Sequence, residues 1–365
     1  MDEDRILTAT SLKKIYGSFV AADVPELHVN KGEFFTIVGP SGSGKSTLLS
    51  MLTGTTLPSS GKVEIRGQDV TFLPPERRPT TMVFQNLALF PHMSVGQNIG
   101  FPMDVRGTDE AKKRARVMSL LELVHLPTSY YDKAIAQCSG GERQRIAIAR
   151  ALANDSEIIF FDEPLSAIDY RLRKTLEVEL MEMHRHTGKT FVYVTHSLEE
   201  AMTMSDRLTI MKNGKIVQTG TANDIYTRPQ NEFVAQFLGE INVFTVQVIN
   251  RNDRKLTLSS TESGGNFTAV VPKGHEIGNT AKLVVRPENM RILRDGENCD
   301  NAIEAIVSHR LMLGSRIQYE AEAFGKRLII EELSKVDVDS ASLAVGAGDR
   351  IRVGWSSDGG ILVDD

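Results

Sequence analysis

Three stretches of this chain run apolar without alternation: Phe34-Phe35-Thr36-Ile37-Val38, residues 157–161 and residues 190–195. A strand with one wet face alternates apolar and polar residues, whereas a strand covered on both faces does not. The pattern therefore predicts central strands of a sheet sandwiched between other layers. Between the second and third stretches, roughly Tyr170 to His186 reads as a helix, which completes a β-α-β unit. From about Asp109 to Val124, Ala, Met and Leu recur on one helical face, and residues 143–153 form a second helical pattern. Residues 5–38 predict short strands turning at Tyr16-Gly17. Pro58-Ser59-Ser60-Gly61 marks a turn before a strand at Lys62-Val63-Glu64-Ile65, and Pro74-Pro75 marks another connection.

After about residue 240 the character changes. Thr245-Val246-Gln247-Val248, Ala281 to Val285, Ile317 to Ala323 and Arg350 to Val353 are short β-prone runs separated by Gly and Asp/Asn pairs. This predicts a second, all-β domain of barrel type over residues 241–365, behind an α/β domain over residues 1–240. No internal repeat is visible.

The first apolar run leads into Gly39-Pro40-Ser41-Gly42-Ser43-Gly44-Lys45-Ser46, followed by Thr47-Leu48-Leu49 and a helix ending near Gly54. This is a complete G-x-x-x-x-G-K-[ST] phosphate loop in its strand–loop–helix context. Small residues let backbone N–H groups turn inward around nucleotide phosphates. Lys45 supplies a point charge for the β/γ-phosphates, and the Ser46 hydroxyl is placed to hold Mg²⁺.

Composition narrows the partners. The hydrophobic fraction of 41% and charged fraction of 24% are ordinary for a globular protein, and the formal net charge of -5 offers no global basic field for nucleic acid. Cys138 and Cys299 lie far apart without metal spacing, which suits a reducing compartment. The acidic start, Met1-Asp2-Glu3-Asp4-Arg5, lacks the basic and apolar regions of a signal peptide, and no stretch is long and apolar enough to span a bilayer. The expectation is a soluble or peripheral protein whose membrane part, if it serves a membrane process, comes from other chains.

The run Ile158-Ile159-Phe160-Phe161 ends in Asp162-Glu163, so a buried strand delivers two carboxylates to the sheet edge where α/β folds bind ligands. Asp162 fits a Mg²⁺-holding acid paired with Ser46, and Glu163 a general base toward the attacking water. The plainer reading is an acidic turn before Pro164. Cys138-Ser139-Gly140-Gly141-Glu142 opens the helix near residue 143. Ser139 and Glu142 suit a capping box, while Gly140 and Gly141 leave a bare helix N-terminus able to face an anion. A phosphate loop and a separate second anion site suggest two copies face to face, each completing the other's site.

With these motifs in place the chain resembles the ATP-binding subunits of ATP-binding-cassette (ABC) transporters, and is similar to the bacterial importer branch serving polyamines, sugars, iron or related solutes. The phosphate loop, Cys138 to Glu142 with Arg143-Gln144-Arg145, and Asp162-Glu163-Pro164 match in the family's order over about the first 235 residues. Cys138 stands where leucine is more usual, and Glu142 where glutamine is commoner. Cys138 reads either as a packing residue or as a reactive thiol beside nucleotide. In the C-terminal part, Val284-Val285-Arg286-Pro287-Glu288 and Gly314-Ser315-Arg316 resemble the small barrel appended to importer ATPases, a TOBE-type domain.

The resemblance implies further roles. Tyr16 would stack on adenine, and Gln85 would report on Mg²⁺ and the transmembrane partner. Ser166-Ala167-Ile168-Asp169 would contact the opposite subunit, and His196 would contact the γ-phosphate. Asn86-Leu87-Ala88-Leu89-Phe90-Pro91-His92 would form part of a groove for a helix of a membrane subunit. It further implies a RecA-like P-loop core with a β-rich edge, a helical signature subdomain over about 90–155 and a small OB-like barrel. ATP and Mg²⁺ would be the cofactors. The partners would be a second copy, two transmembrane permease subunits and, indirectly, an extracytoplasmic solute-binding protein, at the cytoplasmic face of the cell membrane. Two alternatives stay open: a regulator whose barrel senses a ligand, and a non-transport ATPase acting on nucleic acid or ribosome.

Overall fold

The computed structural model describes residues 4–166, 168–262, 264–271, 278–334 and 345–363. Ala167, expected in the loop facing a second copy, lies outside them. The chain divides between Ala222 and Asn223 into two compact units.

The first unit opens with strands β1 (Arg5–Tyr16), β2 (Phe19–Asn30) and β3 (Phe34–Val38), then helix α1 (Lys45–Thr53) and strands β4 (Ser60–Ile65), β5 (Gln68–Asp69) and β6 (Thr80–Val83). Helices α2 (Val95–Val105), α3 (Glu110–Leu123) and α4 (Gly140–Ala153) follow. Strand β7 (Ile158–Asp162), helix α5 (Tyr170–Thr187), strand β8 (Thr190–Thr195), helix α6 (Leu198–Met204) and the hairpin β9 (Arg207–Lys212) and β10 (Lys215–Gly220) complete it.

The main sheet has the order β10-β9-β3-β8-β7-β6, parallel except for the edge strand β10. A second, four-stranded sheet of order β2-β1-β4-β5 is antiparallel. The missing alternation in the three apolar runs has a direct cause. Successive side chains of a strand point to opposite faces, and both faces of the main sheet are buried. Phe34, Ile159, Phe161, Phe191 and Tyr193 join a core with α2–α5. Phe35, Ile37, Ile158, Phe160, Val192 and Val194 join another with α1, β1, β2 and β4. Helix α5 contributes Leu176, Leu180 and Met183 to the first core, the spacing of one helical face.

Register places the chemistry. Val38 lies opposite Thr195, Val194 opposite Asp162, and Phe161 opposite Val83. The carboxyl ends of β3, β8, β7 and β6 therefore lie side by side along one edge.

The second unit begins with the short helices α7 (Ala222–Thr227) and α8 (Glu232–Phe237). Strands β11 (Asn242–Asn252), β12 (Lys255–Ser260), β13 (Asn266–Val270), β14 (Thr280–Val285) and β15 (Arg291–Leu293) come next. They are followed by β16 (Asn301–Met312), β17 (Arg316–Ala323), β18 (Lys326–Leu333), β19 (Arg350–Trp355) and β20 (Gly360–Val363). The strands pair into two five-stranded antiparallel sheets, β13-β12-β11-β14-β20 and β15-β19-β16-β17-β18. The two sheets share one core, at whose centre Trp355 stacks on Phe244 at 5.6 Å with Phe267 tilted against it at 5.1 Å. The all-β character is as expected.

The compact units part just after the first residue of α7, and the Arg-Pro-Glu element gives the reason. Arg286 is buried, its guanidinium 3.8 Å from the Tyr226 ring centroid, and it donates to the Tyr226 carbonyl at 3.1 Å. The Tyr226 hydroxyl donates to Glu288. Ala235 of α8 packs on Val284 and Val363. Both helices thus belong to the packing of the second unit.

Candidate functional site

The loop after β3 is shaped by exclusion. A Cβ on Gly39 would sit 2.4 Å from the Met211 carbonyl oxygen of β9, and one on Gly44 would sit 2.5 Å from that of Ala21. Gly44 also adopts φ +98°, in the left-handed region that side chains disfavour. Between them, Pro40, Ser41, Gly42 and Ser43 turn over the N-terminus of α1. Lys45 is buried, and its ammonium donates to the carbonyls of Gly39 at 2.8 Å and Pro40 at 3.1 Å. Burial pulls its pKa below the ordinary lysine value, against the opposing charges of Glu163 and Asp162. The Ser43 hydroxyl is buried and has no hydrogen-bond partner. A buried orphan hydroxyl is costly unless an incoming group satisfies it, and phosphate oxygens fit that need. Ser46, which is exposed, and the half-buried Thr47 open α1.

Asp162 ends β7, and burial raises its pKa, as does the Glu163 carboxylate, while Lys45 lowers it. Glu163 has φ +44°, strained for a residue with a side chain. Two elements hold it there: its N–H donates to the Val194 carbonyl at 2.9 Å, and its carbonyl accepts from the Ser166 hydroxyl at 2.9 Å. The strained turn aims the Glu163 carboxylate at His196, whose Nδ1 donates to Oε2 at 2.9 Å. Gln85 joins the same group, its Nε2 donating to the Ser166 hydroxyl at 3.4 Å. Lys45, Asp162, Glu163, His196 and Gln85 are therefore one constellation along the edge that register defines.

Other expected residues stand apart from it. Ser139 caps α4, accepting from the Glu142 N–H at 3.2 Å, while the Glu142 carboxylate accepts from the Ser139 N–H at 2.7 Å. That N–H holds the Glu142 pKa down, together with Tyr130 and Lys133. Among the described residues, these bonds stay within the helical part and none reaches the phosphate loop. A Cβ on Gly140 would meet nothing within 4 Å, whereas one on Gly141 would press on Leu172 at 2.9 Å. The helix end is thus open at Gly140 and closed at Gly141. Cys138 is buried and packs in the first core, and burial pushes its thiol pKa up. Asp169 caps α5, accepting from the Leu172 N–H at 3.1 Å. Tyr16 is 53% exposed at the end of β1, with the Lys14 ammonium 5.1 Å from its ring centroid.

A groove of about 450 Å³ lies beside Gln85, lined by Phe84, Ala88, Phe90, Phe101 and Arg150 among others. Of the apolar run after Gln85, Leu87 and Leu89 instead pack against the core. Sequence reasoning placed Ser166 only in the loop toward the opposite subunit, and it missed Arg150. Ser166 links Gln85 to Glu163, and Arg150 donates to the Leu87 carbonyl at 2.8 Å and that of Ala88 at 2.7 Å. Neither role carries a local signal, because Gln85 lies 81 positions from Ser166, and Ala88 and Leu87 lie 62 and 63 positions from Arg150.

Among the described residues no helix is long and apolar enough to cross a membrane. Residues 23–166 match the family model described as ABC transporter, and residues 283–363 match the TOBE domain. The spermidine/putrescine import ATP-binding protein PotA of Mesorhizobium japonicum is 38% identical over 364 residues, covering 98% of each chain. The PotA protein of Roseobacter denitrificans is 41% identical, covering 84% of this chain and 83% of its own. Among solved structures, an ATP-binding cassette captured as a dimer in a post-hydrolysis state with ADP and Pi superposes with TM-score 0.54 at 30% identity. It covers 60% of this chain and 99% of its own. The cbiO1 protein of Clostridium perfringens, part of an ABC transporter complex, does so with TM-score 0.57 at 27% identity, covering 61% of this chain and 91% of its own. The chain belongs to the ABC transporter family, as an ATP-hydrolysing, ATP-binding subunit that carries a TOBE domain behind its cassette.

Proposed function

We propose that this protein is the ATPase of a polyamine importer, working as a pair of identical subunits on the cytoplasmic side of a membrane permease. The observation that carries the catalytic reading is the edge constellation of Lys45, Asp162, Glu163, His196 and Gln85. The near full-length similarity to spermidine/putrescine import proteins supports the solute class.

The phosphate-loop backbone from Gly39 to Ser46, with Thr47, cradles the triphosphate, and Tyr16 offers its exposed ring to adenine. Lys45 turns from the loop carbonyls to the β/γ-phosphates. Ser46, Asp162 and Gln85 would hold Mg²⁺, which would neutralise charge on the phosphates when bound. Among the described residues no three His, Cys, Asp or Glu side chains form a metal cage of their own. That suits an ion arriving with nucleotide.

Water attacks the γ-phosphorus as the bond to the leaving ADP breaks, and Glu163 takes the proton from that water. His196, held by Glu163, steadies the transferring group. The N-terminus of α4, with Ser139 and the open Gly140, Gly141 and Glu142 behind them and Asp169 capping the neighbouring α5, faces the nucleotide of the second copy. The groove at Phe84 and Phe90 receives a helix of the permease. An extracytoplasmic binding protein presents the solute, and nucleic acid plays no part.

The test is Glu163→Gln. Its turnover should fall by roughly 100-fold or more, with ATP binding retained and an ATP-bound dimer accumulating in size-exclusion chromatography. Wild-type turnover would remove Glu163 from the mechanism. Capture of this variant with Mg·ATP from native membranes should recover a permease whose cognate binding protein takes up spermidine or putrescine. A binding protein selective for iron or sugar would overturn the polyamine assignment.

A further inference from the structure

His196 is weakly supported by its own contacts. Its side chain is 52% exposed, and its carboxylate partner is Glu163. What fixes the ring must therefore act largely through the backbone on either side of it. Those two neighbours are pinned by a single hydroxyl. Thr195 Oγ1 accepts from the Ser197 N–H at 2.9 Å and donates to Glu200 Oε2 at 2.7 Å, so it spans the His196 peptide unit. Glu200 is itself only 3% exposed, and the same Oε2 accepts from the Tyr193 hydroxyl at 2.9 Å. Its N–H donates to the Ser197 hydroxyl at 3.3 Å. Tyr193 and Thr195 are both wholly or nearly buried in β8.

A buried carboxylate is expensive to maintain without a cationic partner. Here its Oε2 is bonded to two hydroxyls, and the group sits in the first turn of α6, where the helix end favours negative charge. Hydrogen bonds to a charged acceptor are the strong ones. The cluster ties strand β8, the His196 turn and helix α6 into one rigid corner.

We propose that Glu200, acting through Thr195, is the positioning residue that sets His196 against Glu163. This rests on the reading that His196 serves phosphoryl transfer. Neither Glu200 nor Thr195 touches the reacting atoms, so their loss should lower kcat and leave the KM for ATP and the affinity for a fluorescent ATP analogue unchanged.

The test compares Thr195→Val, which keeps shape and loses the hydroxyl, with Thr195→Ser, which keeps the hydroxyl. The steady-state ATPase of the full chain is measured with and without His196→Ala. Thr195→Val should lower kcat about tenfold, the loss expected from about 1.4 kcal/mol of misplacement. Thr195→Ser should restore it, and Thr195→Val should cost nothing further in the His196→Ala background. If Thr195→Val does not fold, Glu200→Met, which keeps the length and removes both acceptor oxygens, carries the same comparison and should show the same non-additivity. Full turnover of Thr195→Val or Glu200→Met alongside an impaired His196→Ala overturns the positioning role and leaves the role of His196 standing. Equal additional losses with and without His196 overturn it as well. Full turnover of His196→Ala would remove the underlying reading, and the positioning role with it.

Discussion

Gly39 and Gly140 are both small residues beside a proposed anion site, yet they are small for different reasons. At Gly39 a Cβ would strike the Met211 carbonyl of the neighbouring strand at 2.4 Å and the Ser43 hydroxyl at 2.8 Å. The carbonyl belongs to the sheet and cannot withdraw cheaply. Gly39→Ala should therefore cost about 1–3 kcal/mol in urea unfolding, the range for overpacking, and weaken ATP binding. Gly140→Ala, with nothing within 4 Å, should change stability by no more than about 0.5 kcal/mol. Equal costs at the two positions would refute the packing argument. Sequence alone marks both glycines as motif members, but it does not separate a steric requirement from an open surface, because the obstructing atoms come from β9.

At the scale of elements, α4 is worked at both ends. Its N-terminus carries the Ser139–Glu142 capping box, which Ser-x-x-Glu spacing makes legible. Its far end carries Arg150, whose guanidinium fork holds two consecutive carbonyls of residues in left-handed backbone, Leu87 at φ 62° and Ala88 at φ 46°. That pairing is not legible, since nothing in Leu87-Ala88 announces a left-handed turn and its partner lies 62 positions away. Lysine keeps the charge but cannot serve two carbonyls in a planar fork. Arg150→Lys should destabilise the first unit by about 1–3 kcal/mol. Amide hydrogen exchange should also quicken in residues 86–90 while the Ser139 end of the helix stays protected. Unaltered exchange there would mean that the loop holds its own strained shape.

At the scale of the molecule, the sandwiched sheet was legible because burial on both faces removes alternation, as in residues 157–161 and 190–195. The phosphate loop, the acid pair and His196 were legible as motifs, each at the end of such a run. The register that makes them neighbours was not, nor was the Gln85–Ser166–Glu163 chain, because pairing between strands distant in sequence leaves no local trace. The Arg-Pro-Glu element was legible as a family feature. Its grip on Tyr226, which carries α7 into the second unit, appears only in three dimensions.

The stacked ring pair in the second unit has a practical consequence. Trp355 is the chain's one tryptophan and is 1% exposed, so tryptophan emission, excited at wavelengths where tyrosine does not absorb, reports the melting of the β unit alone. Far-ultraviolet dichroism near the helical minimum reports chiefly the first unit, which holds the long helices. Nucleotide stabilises the unit that binds it by about 2.7 kcal/mol at a hundredfold excess over Kd. Heating the protein with and without ATP should then raise the dichroic midpoint and leave the emission midpoint in place. If both midpoints climb together, the chain melts as one cooperative body, and its sole indole becomes a remote sensor of nucleotide.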